Sequence, residues 1–356
     1  MSSSSSIAGY AAAALASLTA GQVEFLRALP KAELHAHLNG CIPVPTLRKL
    51  AAEHSDAASL PENVHAGIDQ LQKGVVLEEI HDFFGLFPAI YALTSNPEAL
   101  AEAARAVLAL FLESDPEAPN GQSQAAYLEL RTTPRESAHM TRRRYLETVL
   151  DEVERYPGER AALIVSLDRR MDAKVAEEVV DVAVALRNEG RRVVGVDLCG
   201  DPLAGDMKEF EGHFSKAKQA GLGVTLHIAE TTENTHEDTL RLLSFKPDRL
   251  GHATFLDVDA RDVVFSNKAC VEICLSSNLL CKTVSSLDEH HLKHYLECNH
   301  PVAICTDDTL PFRNSLVGEY ALLLAQKPLG LGLSEQEVVR VAGMSMTSRF
   351  ALPTAQ

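Results

Sequence analysis

From residue 127 onward the chain repeats one pattern: short, nearly continuous apolar runs at 127–130, 163–167, 193–198, 224–226, 249–251, 271–275 and 302–305. Most are separated by stretches of helical period, such as 173–189. An eighth run, at 32–37, precedes them. Strands that do not alternate apolar with polar residues are buried on both faces, which is the habit of parallel sheets covered by helices. Eight such units predict an α/β fold, a TIM-type (β/α)8 barrel, with a helical insertion after the first strand.

The insertion is read from its own pattern. Residues 21–29 predict a short helix ending at Pro30, and 47–53 a second. Over 77–92, Ile80, Phe83, Phe84 and Phe87 recur at helical spacing, predicting an amphipathic helix whose aromatic stripe belongs to the core. Asn96 is placed to cap the next helix, with Pro97 at its first position. These helices lie between the first and second strands, where they can lid a site. Residues 1–20, serine-rich then alanine-rich, carry no positive segment of a signal peptide and are expected to be a disordered leader. Residues 21–356 are expected to form a single barrel domain.

The strand ends carry the chemistry. In order they read His35-x-His37, Arg131-Thr132-Thr133-Pro134-Arg135, Asp168-Arg169-Arg170, Asp197-Leu198-Cys199-Gly200-Asp201, His227-Ile228-Ala229-Glu230, Gly251-His252-Ala253, Ser276-Ser277-Asn278 and Thr306-Asp307-Asp308. In such barrels the carboxyl ends of the strands meet at one mouth. Positions i and i+2 of a strand share a face, so His35 and His37 project together. With His227 and Asp307 they form a set that suits zinc, with iron and manganese as alternatives, and leaves a place for water, whose pKa such an ion lowers from 15.7 to about 7. Glu230 is placed to protonate a substrate ring nitrogen, and His252 to orient the water or take its proton. Asp308, facing away from Asp307, is free to accept from a substrate.

Composition narrows the partners. With 33 basic against 49 acidic residues the formal charge is −16, which repels nucleic acid and anionic lipid. No apolar run reaches the roughly 18 residues of a membrane span. Seven cysteines, an odd number scattered through apolar stretches, read as reduced structural thiols of a cytoplasmic protein. A monomer acting on a small molecule is expected. Lys31, Lys268 and Lys282 stand away from the strand ends, so a two-metal site bridged by lysine is not expected.

Taken together, H-x-H-L-N-G, T-L-H-I-A-E, G-H-A-T and C-T-D-D, in this order and on these strands, resemble the adenosine deaminase superfamily of zinc-dependent purine aminohydrolases. The resemblance runs from about residue 29 to 352. It implies one zinc ion per chain held by His35, His37, His227 and Asp307, Glu230 as proton donor, and His252 beside the attacking water. It also implies a purine ring held by Asp308 and the Gly200 backbone. Within the superfamily, Asn39, where adenosine deaminases usually carry aspartate, is similar to the adenosine deaminase-like proteins that act on N6-methyl-AMP. Y-L-E-L-R-T-T-P-R and Asp168-Arg169-Arg170 share that similarity. By it, Thr132, Thr133, Pro134 and Arg135 line the phosphate end and Asp168 contacts the nucleotide. His37 and Asn39 also face the substrate. Tyr91 stands where that group tends to place a histidine, with His81 a nearby substitute. The implied reaction is N6-methyl-AMP to IMP plus methylamine. Deamination of adenosine and a non-catalytic purine-binding barrel are the alternatives.

Overall fold

The structure, a computed structural model, describes residues 7–53, 62–73, 85–114 and 121–352. Eight parallel strands follow one another in spatial order: β1 (Ala32–His37), β2 (Tyr127–Thr132), β3 (Ala161–Asp168), β4 (Val193–Cys199), β5 (Gly223–Ile228), β6 (Arg249–His252), β7 (Cys270–Ile273) and β8 (Val302–Ile304). The seam between β8 and β1 is joined at the mouth by a bridge between Ala36 and Asp307, where the Asp307 amide donates to His35 O at 2.8 Å. The expected (β/α)8 barrel is therefore present.

Every residue of β2, β3 and β4 is buried, as strands between two packed layers must be. Their outward residues, such as Leu128, Leu130, Leu163, Val165 and Leu198, join the helices in one large apolar core. A smaller cluster of Tyr127, Ala162, Ile164, Val194 and Ala303 packs against Phe350 on the inner side. Between it and the mouth lies a charged layer. Arg249 bridges Glu129 at 2.6 Å and Glu272 at 2.8 Å, and Arg131 holds Glu272 at 2.8 Å. Buried ions persist only when paired in this way.

Between β1 and β2 stand the helices Val44–Glu53, Glu62–Lys73, Phe87–Leu93 and Pro97–Leu112. Asn96 caps the last of them, its side chain accepting from Ala99 N at 2.9 Å, with Pro97 in the first turn. Of the helix expected over 77–92, residues 85–86 form a turn and Phe87–Leu93 a helix; 77–84 lie outside the described residues.

Three expectations need correction. The leader expected over 1–20 contains a helix, Gly9–Ser17, with Ala11 and Ala14 buried, and a second helix starts at Ala20. Alanine favours helix and its small side chain lets this one lie close against Gly318 of the helix Leu316–Leu324. Residues 1–6 lie outside the described residues. After β7, Ser276, Ser277 and Asn278 belong to a short helix, Leu275–Leu280, and not to a strand extending to 275. The seven cysteines are unpaired and five are buried, but Cys298 is exposed, so a packing role does not cover all of them. No described helix is long and apolar enough to cross a membrane.

Candidate active site

At the mouth, Nε2 of His37 stands 3.2 Å from Nε2 of His35 and 3.2 Å from Nε2 of His227. Asp307 Oδ1 lies 3.5 Å from His35 Nε2 and 3.6 Å from His37 Nε2. Ligands at about 2.0–2.1 Å from a tetrahedral ion stand roughly 3.3 Å apart, so the spacing of these four groups fits a zinc-sized cation. His252 also approaches: with His35, His227 and Asp307 it offers ligand atoms within 4.8 Å of one another.

The rear nitrogens of two histidines are held by carboxylates. His35 Nδ1 is 2.7 Å from Glu272 Oε2 on β7, and His227 Nδ1 is 3.0 Å from Asp197 Oδ1 on β4. Donating Nδ1–H leaves the Nε2 lone pair aimed at the shared point, the outer-sphere support usual for metal-binding histidine. Both carboxylates stay ionised despite their burial. Burial works against Glu272, but the Arg131 and Arg249 charges hold it well below the usual carboxylate range. Burial likewise opposes Asp197, and His227 and Arg131 hold it down. Asp197 also accepts from Ser166 Oγ at 2.9 Å, and Glu272 from Thr225 Oγ1 at 2.9 Å. These residues therefore fit a bound divalent ion.

Four non-glycine residues of the mouth have left-handed backbones: Ala229 (φ 50°), His252 (61°), Ala253 (48°) and Asp307 (64°). Such conformations cost about 1–3 kcal/mol each and concentrate at functional sites. They turn the side chains of His252 and Asp307 inward at the strand ends. His252 Nε2 lies 3.8 Å from Glu230 Oε2 and 3.8 Å from Asp307 Oδ2. Burial brings the His252 pKa down to about 4 against the pull of Asp307 and Glu230, so its ring is neutral at pH 7.

Glu230 is not a helix cap. The next helix, His236–Ser244, is capped by Thr235, while Glu230 N donates to Asn234 Oδ1 at 3.1 Å. Its Oε1 is buried with no hydrogen-bond partner among the described residues, and so is Asp308 Oδ1. Burial and the neighbouring Asp307 charge push the Asp308 carboxyl well above its usual range. Gly40 makes room for it: a Cβ on Gly40 would fall 1.6 Å from Asp308 Oδ1. The partner expected for Asp308 is the substrate, and a buried polar group denied its partner costs about 1–3 kcal/mol. Gly40→Ala should therefore lower kcat/KM about 5- to 150-fold at unchanged metal content; a loss under about twofold would free Asp308 from this role.

The residues expected at the phosphate end fall into small contact groups. Asn39 is buried, its Nδ2 donating to Thr94 Oγ1 at 3.4 Å and its Oδ1 accepting from the Tyr145 hydroxyl at 3.3 Å. That hydroxyl lies 2.8 Å from Thr132 Oγ1. Thr133 Oγ1 stands 3.6 Å from Cys199 Sγ, and Pro134 is buried. The Arg135 guanidinium lies 3.5 Å over the centroid of the Tyr91 ring, an arrangement favoured by cation–π attraction. Asp168 nestles against Gly200, whose φ of 98° suits glycine; a Cβ there would meet Asp168 Oδ1 at 2.7 Å. Its carboxylate is gripped by Arg170, at 2.9 Å from Nε and 2.6 Å from Nη2. His81 lies outside the described residues.

Sequence reasoning missed Glu272 and Tyr145, and gave Asp197 and Arg170, both read at strand ends, no partner. Glu272 left a signal: a lone acid between Val271 and Ile273 in a strand buried on both faces needs cationic company. Tyr145 left none, since Arg142-Arg143-Arg144-Tyr145 reads as a solvated helix start.

Comparison with known proteins places this geometry. Residues 30–354 match the family described as adenosine deaminase. The human protein named N6-Methyl-AMP deaminase is 36% identical over 315 residues, covering 85% of this chain and 84% of its own. Crystal structures of Arabidopsis ADAL complexed with IMP and with GMP each align with a TM-score of 0.79 at 33% identity. Each covers 92% of this chain and 94% of its own.

Proposed function

The chain belongs to the adenosine deaminase family and is a metal-dependent hydrolytic purine deaminase, and from that premise we propose that it converts N6-methyl-AMP to IMP and methylamine with one zinc ion per chain. The observation that carries the nucleotide reading is Asn39, a neutral side chain tied into the Thr94, Tyr145 and Thr132 hydrogen bonds near the Tyr91–Arg135 stack. Support comes from the human relative's name and from the IMP and GMP held by the Arabidopsis structures.

In this reading His35, His37, His227 and Asp307 would hold the zinc, which would supply Lewis-acid activation of water when bound. His252, neutral at pH 7, orients that water and takes its proton. The Glu230 carboxyl donates a proton to the purine ring as carbon 6 is attacked. The proton taken by His252 passes to the departing nitrogen as the C–N bond breaks, so methylamine leaves, and the remaining hydroxyl proton returns to the Glu230 carboxylate. Asp308 and the Gly200 amide hold the ring; Arg135, Thr132 and Thr133 supply donors to the phosphate, with Asp168 at the nucleotide. Incubation of the purified protein with N6-methyl-AMP should yield IMP and methylamine in equal amounts. Absence of methylamine would overturn the substrate assignment.

The Asn39 role has its own test. An aspartate about 4 Å from a phosphate charge costs about 1 kcal/mol in water and about 4 at an effective dielectric of 20. Asn39→Asp should therefore shrink the preference for N6-methyl-AMP over N6-methyladenosine by about 5-fold to several hundredfold. Arg135→Ala should shift it in the same direction by removing a charged donor. If neither variant moves the ratio of the two kcat/KM values, the phosphate does not lie at this end.

A further inference from the structure

The residues after β7, Ser276-Ser277-Asn278, have no part in the chemistry above. Asn278, His290, His291 and Tyr295 all lie on the crossover from β7 to β8. Asn278, His291 and Tyr295 reach back to the end of β6 and the two residues after it, and His290 ties two of them together. His252 and Ala253 are consecutive left-handed residues, φ 61° and 48°. A backbone so disposed persists only where its surroundings hold it. The Ala253 amide donates to Gly251 O at 2.8 Å and Ile228 O at 3.1 Å, while the carbonyls turn toward the crossover.

There they meet side chains. His291 Nε2 lies 2.9 Å from His252 O, and the Tyr295 hydroxyl 3.4 Å from Ala253 O. A carbonyl only accepts, so His291 carries its hydrogen on Nε2. Its Nδ1 is buried with no hydrogen-bond partner among the described residues. The ring stacks on His290, with centroids 4.4 Å apart and 18° between planes. His290 accepts from Leu292 N on Nδ1 at 3.1 Å, so its Nε2–H donates to Asn278 Oδ1 at 3.2 Å. Asn278 Nδ2 then donates to Thr283 Oγ1 at 3.0 Å and to Thr254 Oγ1 at 3.4 Å. Three successive residues, His252, Ala253 and Thr254, are thus each held by a side chain of one crossover.

We propose that His291, supported by Tyr295 and Asn278, is a positioning residue that sets the His252 imidazole against Glu230 and Asp307 by holding the carbonyl of His252. It acts through His252 and contributes no proton. The inference rests on the deaminase reading for its effect on turnover, but its structural half does not. With His252 Nε2 only 3.8 Å from each of two carboxylates, a small swing of the backbone changes which of them it faces. A displacement of about 1 Å at a reacting group can cost about 100-fold in rate.

The experiment compares His291→Leu, which removes the donor, with His291→Gln, which keeps an N–H of similar reach. His291→Leu should lower kcat about 10- to 100-fold with KM and metal content unchanged. His291→Gln should recover most of that loss. Amide hydrogen exchange should accelerate in His291→Leu over 252–255 and be near normal in His291→Gln, a readout that needs no turnover. If the unaltered protein fails to deaminate any purine, the functional reading falls while the exchange result still decides the clamp. Unchanged kcat and exchange in His291→Leu overturn the proposal. So does joint loss of metal, thermal stability and activity in both variants, which marks a merely structural histidine. Should His291→Leu not fold, Tyr295→Phe keeps the ring and removes the second donor. It should speed exchange at 253–255 and lower kcat with KM unchanged; no change in either overturns the clamp.

Discussion

Glu230→Gln is expected to keep its metal and lose about 10²–10⁴-fold in kcat, the range general acid–base groups typically contribute. Glutamine preserves the shape of the side chain and the Asn234 hydrogen bond to the Glu230 amide, but its carboxamide is no acid. Several observations single this carboxyl out. Thr235, not Glu230, caps the following helix; Glu230 Oε1 is buried without a described partner; and Oε2 is 3.8 Å from His252 Nε2. Elemental analysis alongside steady-state kinetics separates chemistry from folding. An activity loss under about tenfold with metal retained would move the proton-donor role to another group.

His227→Ala should lose metal and hydrolysis together, because in the proposed site the same nitrogen serves both. His227 Nε2 is 3.2 Å from His37 Nε2, and its Nδ1 is anchored 3.0 Å from Asp197. Deleting an outer-sphere partner typically costs 10–100-fold in metal affinity or activity, so Asp197→Asn belongs within about that range. Removing the ligand itself should exceed about 100-fold. The ranking is the sharper part of the expectation. Full metal in purified His227→Ala would show that the four-group assignment is wrong, and a larger effect for Asp197→Asn would reverse the roles of ligand and support.

The barrel was legible because its strands lack alternation and recur between helical stretches, as strands buried on both faces must. The mouth was legible for a geometric reason. His35 and His37 share a face of β1, and His227 and Asp307 close other strands, so topology alone brings them within 3.6 Å of His37. What escaped was whatever depends on neighbours distant in the chain. The helix Gly9–Ser17 shows no amphipathic stripe, since alanine on every face gives no contrast; its burial depends on the small Gly318 opposite. Glu272 and Asp197 look unrelated to histidines until the barrel sets β4 beside β5 and brings β7 within reach of β1 across β8. Tyr145 sits in a run of arginines and turns inward only because Asn39 and Thr132 wait there.

The claim that this deaminase works on a nucleotide is tested most directly by kcat/KM for N6-methyl-AMP against N6-methyladenosine on the same purified protein. A neutral Asn39, with Arg135 and two threonine hydroxyls nearby, predicts that the monophosphate is preferred by about tenfold or more. Equal values, or a better nucleoside, would contradict the account and leave deamination of adenosine in its place.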